Sequence, residues 1–151
     1  MLDNRIPPPL VLVATAGAMW ATSHYGPSPS IAAGLRIPVA GIFVLLGLIM
    51  LPLGFMAFRR AGTTIDPVQI ETASALVTSG IFRLTRNPMY VGMASLLVGL
   101  AVYLASPWSA LGPVVFVLYI TRFQIVPEER AMQSKFGDNY ARYRASVRRW
   151  I

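Results

Sequence analysis

Two adjacent carboxylates, Glu128 and Glu129, follow Pro127 at the exit of a long apolar stretch, while Arg83 and Arg86-Asn87-Pro88-Met89-Tyr90 bring two guanidiniums to the entrance of another. Asn followed by Pro reads as a helix start, with Asn as N-cap and Pro at the first helical position. Free backbone amides and the helix dipole there favour an anion. Acidic groups this close to hydrocarbon are costly unless paired or used. An anionic pair facing a cationic helix entrance suits a zwitterionic ligand that also carries a separate positive centre. Plainer explanations stand beside this one. Asn87 can simply cap a helix, and the two glutamates can complement the dipole of the helix they begin or pair with Arg83, Arg86 or Arg130.

The composition narrows the setting for such a site. The 151 residues are 55% hydrophobic and only 13% charged, one domain's worth of chain that is too apolar for an ordinary soluble domain. A disordered or nucleic-acid-binding tail cannot carry this much aliphatic surface, so no nucleic-acid partner is expected. Basic residues outnumber acidic ones 13 to 6, and all but Lys135 are arginine, which suits carboxylate or phosphate binding. With no cysteine and only His24, neither a thiolate centre nor a multi-histidine metal site is available.

The elements that must position these groups follow from the charge-free stretches. The fold class is all-α: an integral membrane bundle of four transmembrane helices with a C-terminal amphipathic cytoplasmic helix. The spans fall at about 7–23, 37–58, 89–104 and 108–125, each near the length needed to cross a bilayer. Ala14-Thr15-Ala16 resembles a signal-peptide cleavage site, but the leader lacks net positive charge and Pro7-Pro8-Pro9 interrupts any apolar core, so a span is expected. The run from Pro88 to Thr121 is too long for one crossing and must turn back at Ala105-Ser106-Pro107-Trp108-Ser109. Gly41, Gly47 and Gly54 form a small-residue stripe in the second span, where Pro52 should introduce a kink. Gly92 and Gly99 are expected along the seam of the hairpin formed by spans three and four. The same seams suit a dimer as well as the chain's own core.

Arg59, Arg60, Arg83 and Arg86 lie in the connection 59–87, and seven further basic residues follow from Arg122 onward. The positive-inside rule therefore puts both termini and the long connection in the cytoplasm, with the candidate site on that face. Met132, Phe136, Tyr140, Tyr143 and Val147 fall at helical spacing, so 128–147 reads as an amphipathic helix on the membrane surface or over the mouth of the bundle. Gly137-Asp138 should divide it in two, with Asp138 as the second N-cap.

Leu76-Val77-Thr78-Ser79-Gly80, Arg86-Asn87-Pro88-Met89-Tyr90-Val91-Gly92, Glu128-Glu129, Phe136-Gly137, Tyr140 and Tyr143 together resemble the C-terminal region of the isoprenylcysteine carboxyl methyltransferase family. That family belongs to a wider group of membrane enzymes that includes phospholipid methyltransferases. The resemblance runs from Gly62 onward with order and spacing intact, whereas the first two spans match only in hydropathy. It implies S-adenosylmethionine as cofactor and a lipid-like acceptor from the bilayer. It also implies cofactor-binding positions at Ser74, Ala75, Leu76, Val77, Phe82, Asn87, Pro88, Met89, Tyr90 and Glu128. Two positions depart from the family pattern: Asn87 stands where the family has histidine, and Gln124 stands where prenylcysteine enzymes carry a substrate-contacting arginine. Phe82 occupies a position that is usually tyrosine.

Methyl transfer from a sulfonium is an in-line displacement, so such an enzyme chiefly orients its partners and excludes water. Arg86, Tyr90 and Glu129 are the positioning candidates; a carboxylate or thiolate acceptor needs no base, whereas an ammonium must first lose a proton, for which Glu128, Glu129, Tyr90 and the distant His24 are the only base candidates. The expected acceptor is a prenylcysteine carboxylate, ahead of a phospholipid amine or a hydrophobic thiol, with Gln124 narrowing the preference. A small transporter or non-enzymatic four-span protein is the competing class. Proton-coupled carriers need an acidic residue within a span, and these spans hold none away from their ends.

Overall fold

A computed structural model describes residues 6–25, 33–62 and 75–151. Among them the ordered elements are all helical: α1 (Pro8–Ser23), α2 (Ala33–Arg60), a 3₁₀ turn (Gly80–Arg83), α3 (Pro88–Leu104), α4 (Leu111–Ile120) and α5 (Val126–Ser146). A π turn, Thr121–Ile125, joins α4 to α5 without interrupting the helical path. By length and composition, α2 and the run of α4, the π turn and α5 (Leu111–Ser146) are apolar enough to cross a membrane, and α3 is a shorter apolar helix. Leu10, Val13, Ile42, Leu45, Val115 and Leu118 are exposed, an outer surface with the apolar character of a lipid-facing one.

Proline and glycine chemistry sets the boundaries. Pro8 and Pro88 open α1 and α3, where a missing amide hydrogen costs nothing. At the other end of α3, Ala105 adopts the left-handed conformation and donates its amide to the Ala101 carbonyl, so the chain reverses within the expected break. Pro52 lies inside α2, whose helix continues through it.

The glycine stripes meet each other. A Cβ on Gly47 would come within 2.8 Å of the Gly92 carbonyl, and one on Gly99 within 3.0 Å of the Ala40 carbonyl. Gly92 and Gly99 therefore form the α2–α3 seam rather than the expected seam of the α3–α4 hairpin. Backbone approach this close leaves no room for a side chain. Gly41 takes no part in it, since a Cβ there has nothing within 4 Å. Gly47→Ala should accordingly destabilise the protein by about 1–3 kcal/mol through overpacking. Gly41→Ala should be neutral or gain up to about 1 kcal/mol in helix propensity. Thermal unfolding in detergent checks the contrast, and equal effects at both positions would remove the packing argument.

Two apolar clusters result. The larger holds Met19, Tyr90, Met93, Leu97, Phe116, Ile120 and Ile125, between α1, α3, α4 and the π turn. In the smaller, Val77, Phe82, Tyr140 and Tyr143 pack with Phe58, Met132, Phe136 and Val147. The apolar stripe of the tail is therefore covered by the 75–85 segment and the end of α2. Gly137, at φ 50° and ψ −125°, breaks α5 where a division was expected, and its carbonyl accepts from Gln133 Nε2 at 3.1 Å.

Candidate functional site

Three elements converge where the apolar helices end: the first turn of α3 carries Tyr90, the π turn carries Gln124, and the first turn of α5 carries Glu128 and Glu129. A π turn holds more backbone per turn than an α-helix and so shifts the faces of the residues around it. Gln124 and Ile125 are both buried there. The Tyr90 hydroxyl donates to Glu128 Oε1 at 2.6 Å, and Gln124 Nε2 donates to the same oxygen at 2.9 Å. Glu128 lies beyond the apolar stretch, which ends at Ile125, and is half-buried against these partners. Burial pushes its carboxyl up to about 7, the Tyr90 and Gln124 hydrogen bonds pull the other way, and the neighbouring Glu129 charge adds to the rise.

Glu129 is turned about 100° from Glu128 around the helix and meets different partners. Arg86 Nη1 lies 3.1 Å from its Oε1, and Arg149 grips both oxygens, Nε at 2.9 Å and Nη2 at 2.7 Å. Such a fork combines charge with two directed hydrogen bonds. These bonds hold the Arg149 guanidinium above its ordinary range. The Arg86 and Glu129 side chains are only 8% and 11% exposed. Arg86 Nη1 also donates to the Tyr140 hydroxyl at 3.3 Å, while its Nε is buried with no partner among the described residues.

The last turns of the chain close this cluster. The Arg86 amide donates to the Arg148 carbonyl at 3.0 Å, and the Arg149 carbonyl accepts from Asn87 Nδ2 at 2.9 Å and from Thr85 Oγ1 at 3.2 Å. Trp150 Nε1 reaches Thr121 Oγ1 at 3.2 Å, and its ring packs against the larger core. Asn87 stands at the N-cap position, but its side chain makes no capping bond and is spent on the C-terminal backbone instead.

The expected residues thus divide. Arg86, Asn87, Tyr90, Gln124, Glu128 and Glu129 come together. Pro88 and Met89 lie against Gly54 of α2, where a Cβ would meet Met89 Cγ at 2.6 Å. Val77 and Phe82 enter the smaller core, and Phe82 stacks edge-on to Phe58 at 5.2 Å and accepts the Tyr143 hydroxyl on its carbonyl at 2.7 Å. Leu76 and Arg83 line a separate cavity of about 890 Å³ with Thr78, Arg142, Tyr143 and Val147, so Arg83 does not join Arg86 as expected. Ala75 is half-buried, and Ser74 lies outside the described residues. Thr85, Thr121, Tyr140 and Trp150 belong to the cluster without having been expected there. Of these only Tyr140 left a signal, in the helical stripe.

The profile of the family described as phospholipid methyltransferase matches residues 35–139. The chain belongs to that family. It is 34% identical over 109 residues to protein-S-isoprenylcysteine O-methyltransferase A of Arabidopsis thaliana, covering 70% of this chain and 54% of the relative. Similarity to protein-S-isoprenylcysteine O-methyltransferase B of the same plant is 30% over 104 residues, covering 69% and 53%. An uncharacterized protein of Haemophilus influenzae is 41% identical over 63 residues, which are 42% of this chain and 100% of that protein. This phospholipid methyltransferase family member therefore spans about half the length of the curated methyltransferases it matches. No solved structure matches it.

Proposed function

We propose that the chain is an S-adenosylmethionine-dependent methyltransferase that modifies a lipid-like acceptor at the membrane. The observation that carries this reading is the cluster in which buried Tyr90 and Gln124 hold the half-buried Glu128 beside Arg86, in a member of a methyltransferase family. The residues fit the cofactor's charges. A half-buried carboxylate suits a positive centre, and the buried Arg86 Nε, without a partner among the described residues, suits a carboxylate. When bound, S-adenosylmethionine supplies an electrophilic methyl group on a sulfonium.

The chain's own part is orientation. Tyr90 and Gln124 both hold Glu128 Oε1, which directs a ligand's cationic group to the second oxygen. Glu129 fixes Arg86, and the apolar walls from α3 and α4 keep water out, so charges in the site interact more strongly than in solution. A prenylcysteine carboxylate is the favoured acceptor, in keeping with the names of the plant relatives. Gln124 favours a second reading. It is 3% exposed and bonded to Glu128, so it presents no cation to an acceptor carboxylate, and a lipid amine needs none. Transfer of radiolabelled methyl to a farnesylated cysteine analogue, beside a lipid amine and a hydrophobic thiol, tests both. The expected product is a base-labile ester. A base-stable product would favour the amine or thiol, and no transfer together with no cofactor binding would reject the enzyme.

The same reading includes four crossings, with both termini and the site in the cytoplasm. Because the chain lacks cysteine, single labels are clean. In intact cells Ala110→Cys should react with a charged maleimide from outside, and Ala141→Cys only after permeabilisation. The reverse pattern would overturn the orientation.

A further inference from the structure

Residues Arg148, Arg149 and Trp150 touch both halves of the site at once. On one side, the backbone carbonyls of Arg148 and Arg149 collect the Arg86 amide, the Thr85 hydroxyl and the Asn87 amide, all from the loop that enters α3. On the other, the Arg149 guanidinium forks onto Glu129 of α5 and the Trp150 indole hydrogen-bonds Thr121 of the π turn. The loop and α5 are far apart in sequence. Of the direct side-chain bonds that join them near the site, Tyr90 to Glu128 and Arg86 to Glu129 and Tyr140 are the principal ones. The chain leaves helical geometry at Val147, φ −129° and ψ 135°, which frees the Arg148 and Arg149 carbonyls for the loop. An arginine carrying only surface charge would not need its carbonyl, its guanidinium and its neighbour's indole all engaged inward.

Resting on the methyl-donor reading of the site, we infer that residues 148–150 form a latch that holds the Arg86–Asn87 loop in register with Glu128 and Glu129. Arg149 and Trp150 are its positioning residues. The latch explains why the Asn87 side chain makes no capping bond: its amide is the loop's handle on the Arg149 carbonyl. It also explains a tryptophan in an otherwise basic terminus. Trp150 anchors the segment in the larger core, and without that anchor two carbonyl acceptors lose their position together. Loop and helix then keep their own folds but lose their mutual alignment, which weakens a ligand that must touch both.

The full-length protein in detergent can be tested with Trp150→Ala, Arg149→Met and the conservative Arg149→Lys. Hydrogen exchange on the ligand-free protein reads the latch directly. The peptide containing the Arg86 amide should exchange faster in Trp150→Ala, while peptides from α2 and the rest of α3 stay protected. Titration with S-adenosylmethionine should show binding weakened on the order of tenfold by Trp150→Ala and by Arg149→Met, the scale seen when an outer partner of a ligand-holding group is removed. Arg149→Lys should recover part of the loss. Combining Trp150→Ala with Asn87→Ala should cost little more than either alone, because both release the same carbonyl. Unchanged Arg86 exchange in Trp150→Ala, or fully additive losses, would overturn the latch even if the unmutated protein binds the cofactor. Faster exchange with no cofactor binding by the unmutated protein would reject the methyl-donor reading and with it the latch's role in binding. Should Trp150→Ala fail to fold, Trp150→Phe keeps the ring, removes only the bond to Thr121 and carries the same exchange test.

Discussion

Replacing Glu128 with glutamine is expected to weaken S-adenosylmethionine binding by about 10- to 100-fold, the ~1.5–3 kcal/mol of a hydrogen bond to a charged group. Fold stability should not fall. The glutamine Oε1 can still accept from Tyr90 and Gln124, and a half-buried charge is exchanged for a neutral amide of the same shape. The sign of the pH dependence sharpens the test. Because burial raises the Glu128 carboxyl to about 7, protons compete with a cationic ligand below that pH. Affinity should therefore rise roughly tenfold per unit from about pH 5.5 and level off above about pH 7.5, one proton being released on binding. The ligand-free fold behaves oppositely. A carboxyl whose folded value lies above its unfolded value of 4.5 contributes stability that is full below 4.5 and is lost as pH rises through about 7. Glu128→Gln should flatten both curves. Calorimetric titration across that range decides it, and an affinity in the unmutated protein that ignores pH would mean Glu128 does not meet a cationic group.

Much of this site was legible because its parts obey local rules. Asn87-Pro88 marked the start of α3, the Pro127-Glu128-Glu129 exit marked the start of charge, and the family resemblance put Tyr90 and Glu128 among the same cofactor-binding positions. The Ala105 break and the Gly137 division followed from proline and glycine preferences in the same way. Pairings between distant segments were not legible. Gly92 and Gly99 have a spacing but no address, so nothing in it distinguished α2 from α4 as the facing helix. Gln124 and Glu128 sit four residues apart, a separation that allows contact on any helix, but the π turn that buries Gln124 has no residue signature. The 148–150 segment was the least visible. Its contacts use backbone carbonyls, which every residue has, and its arginines read as part of a basic tail.

Removing the Glu129 carboxylate should be the most destabilising single change in the cluster. Glu129→Ala leaves the Arg86 guanidinium, 8% exposed, without its counter-ion, and an uncompensated buried charge typically costs about 3–5 kcal/mol. Arg149 would suffer less. Its side chain is 34% exposed and can turn to water, so Arg149→Met should cost well under the Glu129→Ala figure. Tyr140 marks the difference between losing a charge and losing a contact. Arg86 donates to its hydroxyl, so Tyr140→Phe removes one bond of a cation that keeps its carboxylate, and about 0.5–1.5 kcal/mol is expected. Coupling then separates a paired charge from a general packing loss. Arg86→Met on its own leaves Glu129 still held by Arg149, but in the Glu129→Ala background the same substitution takes away the orphaned cation and should restore stability. Unfolding of the four proteins in one detergent and one buffer measures the coupling. If Arg86→Met is equally harmful in both backgrounds, Glu129 is not compensating Arg86, and the order of this corner of the protein must come from the apolar cluster around Tyr140 and Tyr143 instead.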